Sequence, residues 1–289
     1  MSFCQPVSEI IPRRFSCRTF SLEPVALDVQ HALAAVMDAL SLGPFGVPLR
    51  FSLVAAQEQD RLELRGLGTY GFIKGAGGFL AGVVYPGPMY LEDFGYRMEQ
   101  VILHATDLGL GTCWLGGTFS KSSFARKIAL SRPERIPAAV AIGNIPDEEQ
   151  ARQAFLRRQI GSHSRLPWES LFFADLFGTP LARQKAQPYA LPLEMVRLAP
   201  SASNKQPWRV VLSGDAFHFY LHRTRGYREG LKLVGLEDLQ RVDQGIAMCH
   251  FELTAREAGL HGRWIIQEPT LRKPDPLTEY TASWIKTID

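Results

Sequence analysis

The sequence predicts an α+β fold built from two tandem half-units. Three observations predict it: a repeat without gaps, a helix ending in glycine within each copy, and the order helix, proline loop, strand, which occurs twice. Hydrophobic residues make up 46% of the 289 residues and charged residues 21%, as in folded globular proteins. We therefore expect a folded chain that needs no disulfide bonds for its stability.

The repeat relates residues 93–114 to residues 243–264 at an offset of 150, with eight identities in 22 positions. The identities include Asp93/Asp243, Gly95/Gly245, Gly109/Gly259 and Trp114/Trp264. Both copies carry apolar residues at positions i, i+3, i+7 and i+10, which predicts an amphipathic helix. Gly109 and Gly259 stand where a helix commonly ends in a left-handed turn. Each copy is therefore predicted to be a helix, a glycine cap and a strand.

The same order of elements occurs upstream of each copy. A helix, a proline loop and a β-rich strand are predicted at 28–42, Gly43-Pro44 and 49–54, and again at 193–198, Ala199-Pro200 and 208–212. Strands at 138–142 and 280–285 close the two halves. We divide the chain into a first half at 1–146, a connecting segment at 147–187 and a second half at 188–289.

Composition excludes several classes of partner. The excess of 32 Lys and Arg over 29 Asp and Glu is too small to indicate a nucleic-acid or membrane surface. The polar N-terminus lacks the apolar stretch of a signal peptide, and the four cysteines form neither a CxxC pair nor a metal-ligand spacing. We expect a cytoplasmic protein with reduced thiols, no metal, and no nucleic-acid or membrane partner.

Three segments carry candidate chemistry. Residues 13–20, Arg-Arg-Phe-Ser-Cys-Arg-Thr-Phe, combine guanidinium and hydroxyl groups that suit a phosphate, although a solvated basic segment is the alternative. Residues 198–208 form a loop dense in small hydroxyl and amide side chains, which also suits an ordinary turn. Gly116 and Gly117, within residues 109–119, allow a ligand to approach the backbone closely.

Together these motifs and Ile-Gly-Asn-Ile-Pro at 142–146 resemble the FMN-dependent nitroreductase family. The order of the motifs departs from that family, because the Pro-Ser-Ala-Ser-Asn loop lies in the second repeat instead of following the Arg motif. The chain resembles the fused, single-chain branch, in which two half-units imitate the usual homodimer. The resemblance therefore implies a nitroreductase-like fold in which the two halves form an intramolecular pseudo-dimer.

The resemblance also implies a set of flavin contacts. Arg14, Ser16 and Arg18 match family residues that hold the FMN phosphate and pyrimidine edge, and Arg13 belongs to the same motif. Arg165, in Ser-Arg-Leu-Pro at 164–167, is implied to reach the phosphate. The remaining implied contacts are a backbone segment facing flavin N5 and a loop against the ring: Leu115, Gly116 and Gly117, and Pro200, Ser201, Ala202 and Asn204.

These motifs are distributed unequally between the halves. The first half has Pro-Phe-Gly-Val-Pro at 44–48 in place of the Ser- and Asn-rich loop. The second half keeps that loop but has no Arg-Arg-x-Ser-x-Arg segment, and Ile-Ile-Gln-Glu follows Trp264. A homodimer would have two flavin sites. In this chain the motifs of one site are present, and those of the other have been lost. The sequence therefore predicts one FMN per chain, at the interface of the two halves.

The resemblance implies an oxidoreductase that transfers hydride from NAD(P)H to a nitro, quinone or similar small acceptor. No catalytic side chain is implied, because the flavin carries the chemistry. A catalytic thiol at Cys17, with its pKa lowered by neighbouring arginines, is the weaker alternative since no resolving Cys or nearby His is visible. The rival function is a flavin-binding protein for storage or sensing without turnover. The chain is expected to be a monomeric pseudo-dimer or a homodimer of pseudo-dimers.

Overall fold

A computed structural model describes residues 2–54, 72–117, 119–146 and 165–287. The chain divides into two compact units, unit 1 at Met1–His163 and unit 2 at Ser164–Asp289. Residues 165–187 belong to unit 2. The assignment of 147–187 as a connecting segment stays a prediction, because residues 147–164 lie outside the described ranges.

Unit 1 is an antiparallel sheet with helices. Its described helices are α1 (Val7–Arg13), α2 (Leu27–Ala39), α3 (Tyr90–Asp107) and α4 (Lys121–Lys127), and its strands are β1 (Leu49–Val54), β2 (Gly78–Val84), β3 (Leu110–Leu115) and β4 (Ala139–Asn144). The strand order is β1-β2-β4-β3, and every neighbouring pair is antiparallel. All seven residues of β2 are buried, as their small and apolar character dictates. α2 ends at Ala39, three residues before the predicted end.

Unit 2 repeats this architecture and extends it by one strand. Its described elements are β5 (Phe172–Ala174), α5 (Ala190–Leu198), β6 (Trp208–Ser213), β7 (Ala216–His222), α6 (Tyr227–Leu233), α7 (Leu239–Glu257), β8 (Gly262–Ile265) and β9 (Thr278–Lys286). The strand order is β5-β6-β7-β9-β8. β5 pairs with β6 in parallel, and the other pairs are antiparallel. The sequence did not indicate β5, whose three residues are too few to show a period.

The duplication is confirmed by the topology. β1-β2-β4-β3 in unit 1 corresponds strand for strand to β6-β7-β9-β8 in unit 2. The repeated segments form the long helices α3 and α7, each followed by a strand. Gly109 and Gly259 adopt φ angles of 82° and 71°, the left-handed caps that the sequence predicted. The α+β class and the tandem half-units are therefore confirmed.

Each repeat pairs a half-buried tryptophan with a buried glutamate of its long helix. In unit 1 the Trp114 indole donates a 2.8 Å hydrogen bond to Glu99. In unit 2 the Trp264 indole donates a 2.7 Å hydrogen bond to Glu252. The second tryptophan also packs on Trp284, with ring centroids 5.2 Å apart. These contacts fix each long helix against the strand that follows it.

Among the helices within the described ranges, none is long and apolar enough to cross a membrane.

Candidate functional site

The arginine segment of unit 1 lies along the outer edge of β3. The amide of Cys17 donates a 2.8 Å hydrogen bond to the carbonyl of Thr112, and Ser16 pairs with Thr112 in a parallel bridge. Beyond Cys17 the segment leaves β3: Thr19 pairs with Lys74, and the amide of Ser21 donates a 2.8 Å hydrogen bond to the carbonyl of Asn144, which pairs with Leu110 at the start of β3. Two motifs that the sequence placed in the site, the arginine segment and residues 109–117, are therefore neighbours in unit 1.

Glycines allow the segment to lie this close. A Cβ added at Gly111 would stand 3.0 Å from the Cys17 side chain. One added at Gly143 would stand 3.0 Å from the Phe20 side chain and 2.9 Å from the amide nitrogen of Gly77. Such distances are tighter than ordinary van der Waals contacts. The glycines of the Gly-Leu-Gly-Thr and Ile-Gly-Asn motifs thus create room for the residues 16–20.

Arg14 is buried beside a carboxylate. Its side chain is 5% exposed, and its Nε lies 3.8 Å from Oε1 of Glu99, whose side chain is fully buried. The other Glu99 oxygen accepts the Trp114 indole hydrogen bond. Nη1 of Arg14 is buried without a hydrogen-bond partner among the described residues. Since buried donors are normally satisfied, this nitrogen suits an anionic ligand.

Arg18 and Arg13 differ from Arg14 in their contacts. Arg18 donates a hydrogen bond to the Cys113 sulfur, although burial dominates and raises the pKa of that thiol. Arg13 donates a hydrogen bond to the side chain of Gln5. Ser16 is half-buried, at its bridge to Thr112.

The suggestion that Cys17 has a lowered pKa is wrong. Its thiol is 1% exposed, and burial raises its pKa to about 11, despite a hydrogen bond to the carbonyl of Thr19. A protonated, buried thiol is a poor nucleophile. Cys17 therefore has a packing role beneath the arginine segment.

The end of β3 presents backbone without side chains. Leu115 is 2% exposed and belongs to the core, whereas Gly116 is half-buried and Gly117 is exposed. Thr118, which follows them, lies outside the described residues. A flat ligand could approach this backbone without meeting a Cβ.

Unit 2 contains the other predicted contacts in a loop with unusual backbone geometry. The loop, residues 199–207, joins α5 to β6 and contains a 3-10 turn at Ala202–Asn204. Ser203, Asn204 and Gln206 adopt φ angles of 52°, 51° and 47°. Residues with a Cβ adopt this left-handed conformation only where their surroundings enforce it, often at functional sites.

Hydrogen bonds hold the loop in this conformation. The amide of Gln206 donates a 2.9 Å hydrogen bond to the Ser201 hydroxyl, and the Gln206 side-chain oxygen accepts a 2.8 Å hydrogen bond from the amide of Leu166. Pro200 is half-buried at the start of the loop. The loop is therefore held by a hydrogen bond within itself and by another to the segment that begins at residue 165.

Arg165 lies against this loop. Its guanidinium donates hydrogen bonds of 2.7 Å to Oδ1 of Asn204 and 2.9 Å to the carbonyl of Leu198. The structure thus brings together Arg165 and Asn204, which are 39 residues apart in the chain. Ser164 of the same motif lies outside the described residues.

The repeated aspartates anchor corresponding loops. Asp243 on α7 accepts a 2.9 Å hydrogen bond from the amide of Ala202. Asp93 on α3 accepts hydrogen bonds from the amides of Phe45 at 3.0 Å and Val47 at 2.9 Å. Burial raises the pKa of Asp93 to about 6 and that of Asp243 well above its usual range. The repeat alignment carried this signal, but the sequence did not assign a role to either aspartate.

No cluster of His, Cys, Asp and Glu suited to a metal ion occurs within the ranges that the structure describes. His104 stacks on Phe3 with ring centroids 3.9 Å apart, and burial lowers its pKa to about 4. His250 is fully buried, and its Nδ1 lies 2.9 Å from the carbonyl oxygen of Met195. Both histidines therefore have packing roles.

Comparison with solved structures finds a full-length match and several partial ones. A "putative nitroreductase" of Thermotoga maritima is 19% identical, with a TM-score of 0.62, and the match covers 99% of this chain and 95% of that one. An oxidoreductase containing FMN is 20% identical over 62% of this chain and 96% of its own, with a TM-score of 0.48. A nitroreductase with bound FMN from Desulfitobacterium hafniense is 18% identical over 50% and 92%, with a TM-score of 0.42. No curated protein sequence matches this chain.

The duplicated sheet and the match over 99% of the chain show a nitroreductase-like fold. The family described as "Putative TM nitroreductase" matches residues 6–255, and this chain belongs to that family. The resemblance inferred from the sequence motifs is therefore confirmed.

Proposed function

We propose that this protein is an FMN-dependent oxidoreductase that takes hydride from NAD(P)H and passes it to a nitro, quinone or similar small acceptor. The observation that carries the proposal is the pairing of the arginine segment with β3, because Gly116 and Gly117 follow directly after this strand. Family membership and the FMN-containing neighbours support the same conclusion.

The residues present suit FMN. The unpartnered, buried Nη1 of Arg14 is a donor for a phosphate oxygen. The backbone at Gly116 and Gly117 is open to a planar ring, and an N–H there would donate to its N5 edge. When bound, FMN supplies the hydride chemistry. The residues of the chain would bind, orient and polarise the flavin.

We further propose a single FMN per chain, to which both halves contribute. Arg13, Arg14, Ser16 and Arg18 would hold the phosphate and pyrimidine edge, and Leu115, Gly116 and Gly117 the ring edge. Pro200, Ser201, Ala202 and Asn204 would supply the loop against the ring, with Arg165 beside them. The asymmetry of the motifs supports one site, since the loop at residues 44–48 has no Ser or Asn. The two halves would act as a cytoplasmic pseudo-dimer, alone or paired with a second copy.

Anaerobic spectroscopy tests this function. The protein with FMN is mixed with NADH or NADPH while the flavin absorbance near 450 nm is followed, and menadione or nitrofurazone is then added. The proposal expects bleaching by one nucleotide and rapid recovery with an acceptor. Gly117→Val, whose side chain would block the ring, should give a folded protein without flavin. Bound FMN that neither nucleotide bleaches faster than free FMN would favour the storage or sensing alternative.

A further inference from the structure

The carboxyl group of Asp243 lies buried beneath the left-handed loop of unit 2. The side chain projects from the first turns of α7 and the residue is 3% exposed. Oδ1 accepts the 2.9 Å hydrogen bond from the amide of Ala202, and Oδ2 is buried without a partner among the described residues. This group is not part of the flavin contacts proposed above.

The hydrogen bond reaches the loop immediately before its unusual backbone. Ala202 begins the 3-10 turn, and Ser203 and Asn204 follow it with φ angles of 52° and 51°. Left-handed backbone is unfavourable for residues with a Cβ, so it persists only where neighbouring contacts enforce it. Asp243 supplies such a contact from the helix to the amide of Ala202, while the carbonyl of Ala202 accepts a 3.2 Å hydrogen bond from the amide of Lys205 within the loop.

Unit 1 provides the natural comparison. Asp93 occupies the corresponding position on α3 and accepts hydrogen bonds from two amides of the corresponding loop. That loop, residues 43–47, has no left-handed Ser or Asn, although Gly46 has a φ of 82°. Both units therefore anchor a loop with this aspartate. Of these two loops, only the one that Asp243 anchors contains candidate flavin residues.

We propose that Asp243 is a positioning residue that holds Ala202 and Asn204 in the conformation that binds FMN. This inference rests on the proposed function, because the loop is a flavin contact only if FMN binds. Asp243 acts through the backbone of the loop and does not itself touch the flavin.

The test compares three variants with the natural protein. Asp243→Leu keeps the volume of the side chain but removes the acceptor, and Asp243→Asn keeps a carbonyl oxygen for the Ala202 amide. Asp93→Leu is the matched control in the other repeat. FMN dissociation constants are measured by fluorescence quenching, and urea unfolding is measured for every variant. We expect Asp243→Leu to weaken FMN binding at least tenfold, and Asp243→Asn and Asp93→Leu to stay within about threefold of the natural protein.

A second readout does not need flavin. Lys205 is exposed in the loop, so trypsin cleavage after it reports on loop conformation. Cleavage should accelerate several-fold in Asp243→Leu and remain near the natural rate in Asp243→Asn. If Asp243→Leu does not fold, Asp243→Ser, whose shorter side chain does not span the same distance, takes its place.

Equal FMN affinity in Asp243→Leu and the natural protein would overturn the inference. Equal weakening by Asp243→Leu and Asp93→Leu would also overturn it, because it would show a general loss of stability. Absence of FMN binding by the natural protein would contradict the proposed function, and the inference with it. In that case, unchanged trypsin cleavage of Asp243→Leu would show that Asp243 does not position the loop either.

Discussion

The side-chain oxygen of Asn204 accepts a 2.7 Å hydrogen bond from the guanidinium of Arg165. The same guanidinium donates to the carbonyl of Leu198, which ends the helix before the loop. One side chain therefore ties the end of α5 to the left-handed turn. We expect any flavin contact made by this loop to depend on that connection.

Replacement of Arg165 should weaken flavin binding. Arg165→Ala removes two charge-assisted hydrogen bonds, each worth about 1.5 to 3 kcal/mol. We expect the FMN dissociation constant of Arg165→Ala to rise about 10- to 100-fold. Arg165→Lys keeps the charge but lacks the planar guanidinium, so its dissociation constant should lie between those of the natural protein and Arg165→Ala. Arg183→Ala is the control, because Arg183 stacks on Trp168 at 4.2 Å and pairs with Glu194 away from the loop. Fluorescence titration that finds natural affinity in Arg165→Ala would contradict this role.

We expect Arg14 to have two separable roles, one as the partner of Glu99 and one as a phosphate ligand. Arg14→Met removes the cation that lies 3.8 Å from the buried Glu99 carboxylate, and loss of one member of a buried pair costs about 3 kcal/mol. Glu99→Gln removes that charge while keeping an acceptor for Trp114, so the double variant should recover most of the free energy of unfolding. Urea denaturation measures this recovery.

Flavin affinity distinguishes the roles of Arg14 further. If Arg14 binds the phosphate, FMN binding stays about tenfold weaker in the double variant than in Glu99→Gln alone. Equal FMN affinity in these two variants would show that Arg14 serves only as the partner of Glu99.

The first-half loop has no room for a side chain at residue 43. A Cβ at Gly43 would overlap the carboxyl group of Asp93, which anchors the loop. We expect Gly43→Ala to lower the free energy of unfolding by about 1 to 3 kcal/mol. The control is Gly230→Ala in α6, where a Cβ meets open space and should stabilise the helix by about 0.5 to 1 kcal/mol. Thermal unfolding in which the two variants behave alike would contradict the overlap.

Stability should depend on pH through Glu134. Arg50 donates to both of its carboxylate oxygens, at 2.9 and 2.8 Å, and this pairing lowers the pKa of Glu134 to about 2. A carboxyl group with a depressed pKa in the folded state stabilises above its unfolded pKa, and that stability is lost as pH falls toward 2. Because Arg50 is 39% exposed and screened by solvent, we expect Glu134→Gln to cost about 1 to 2 kcal/mol at pH 7.

Urea unfolding at a series of pH values checks this dependence. The difference between the natural protein and Glu134→Gln should be constant above pH 5 and should shrink steadily between pH 4 and pH 2. A difference that is the same at pH 7 and pH 2.5 would show that shape, not charge, accounts for the effect.

The repeat made the fold predictable. Identities such as Gly109 with Gly259 indicated equivalent helix ends, and the two sheets have corresponding strand orders, as a duplication requires. The approach of a ligand to Gly116 and Gly117 stays a prediction, whereas the close contact of Gly111 with the Cys17 side chain was not anticipated from the sequence. The neighbouring arginines suggested a reactive Cys17 thiol with a lowered pKa. Burial, which the local sequence does not reveal, raises that pKa instead.

Other contacts were not predictable because they depend on tertiary packing. Glu99 lies fifteen residues before its tryptophan and Glu252 lies twelve before its own, so an alignment without gaps does not pair the two glutamates. Their arginine partners come from different elements, since Arg14 follows α1 and Arg256 lies within α7. The left-handed backbone of Ser203 likewise has no signal in its residue type.

The most direct test of the account is the flavin content of the purified protein. The visible spectrum is recorded after incubation with excess FMN and gel filtration, and released flavin is quantified against chain concentration. The account predicts one FMN per chain, because one arginine segment and one Ser- and Asn-rich loop are present. Two FMN per chain would contradict the loss of the second site, and no FMN would contradict the proposed function itself.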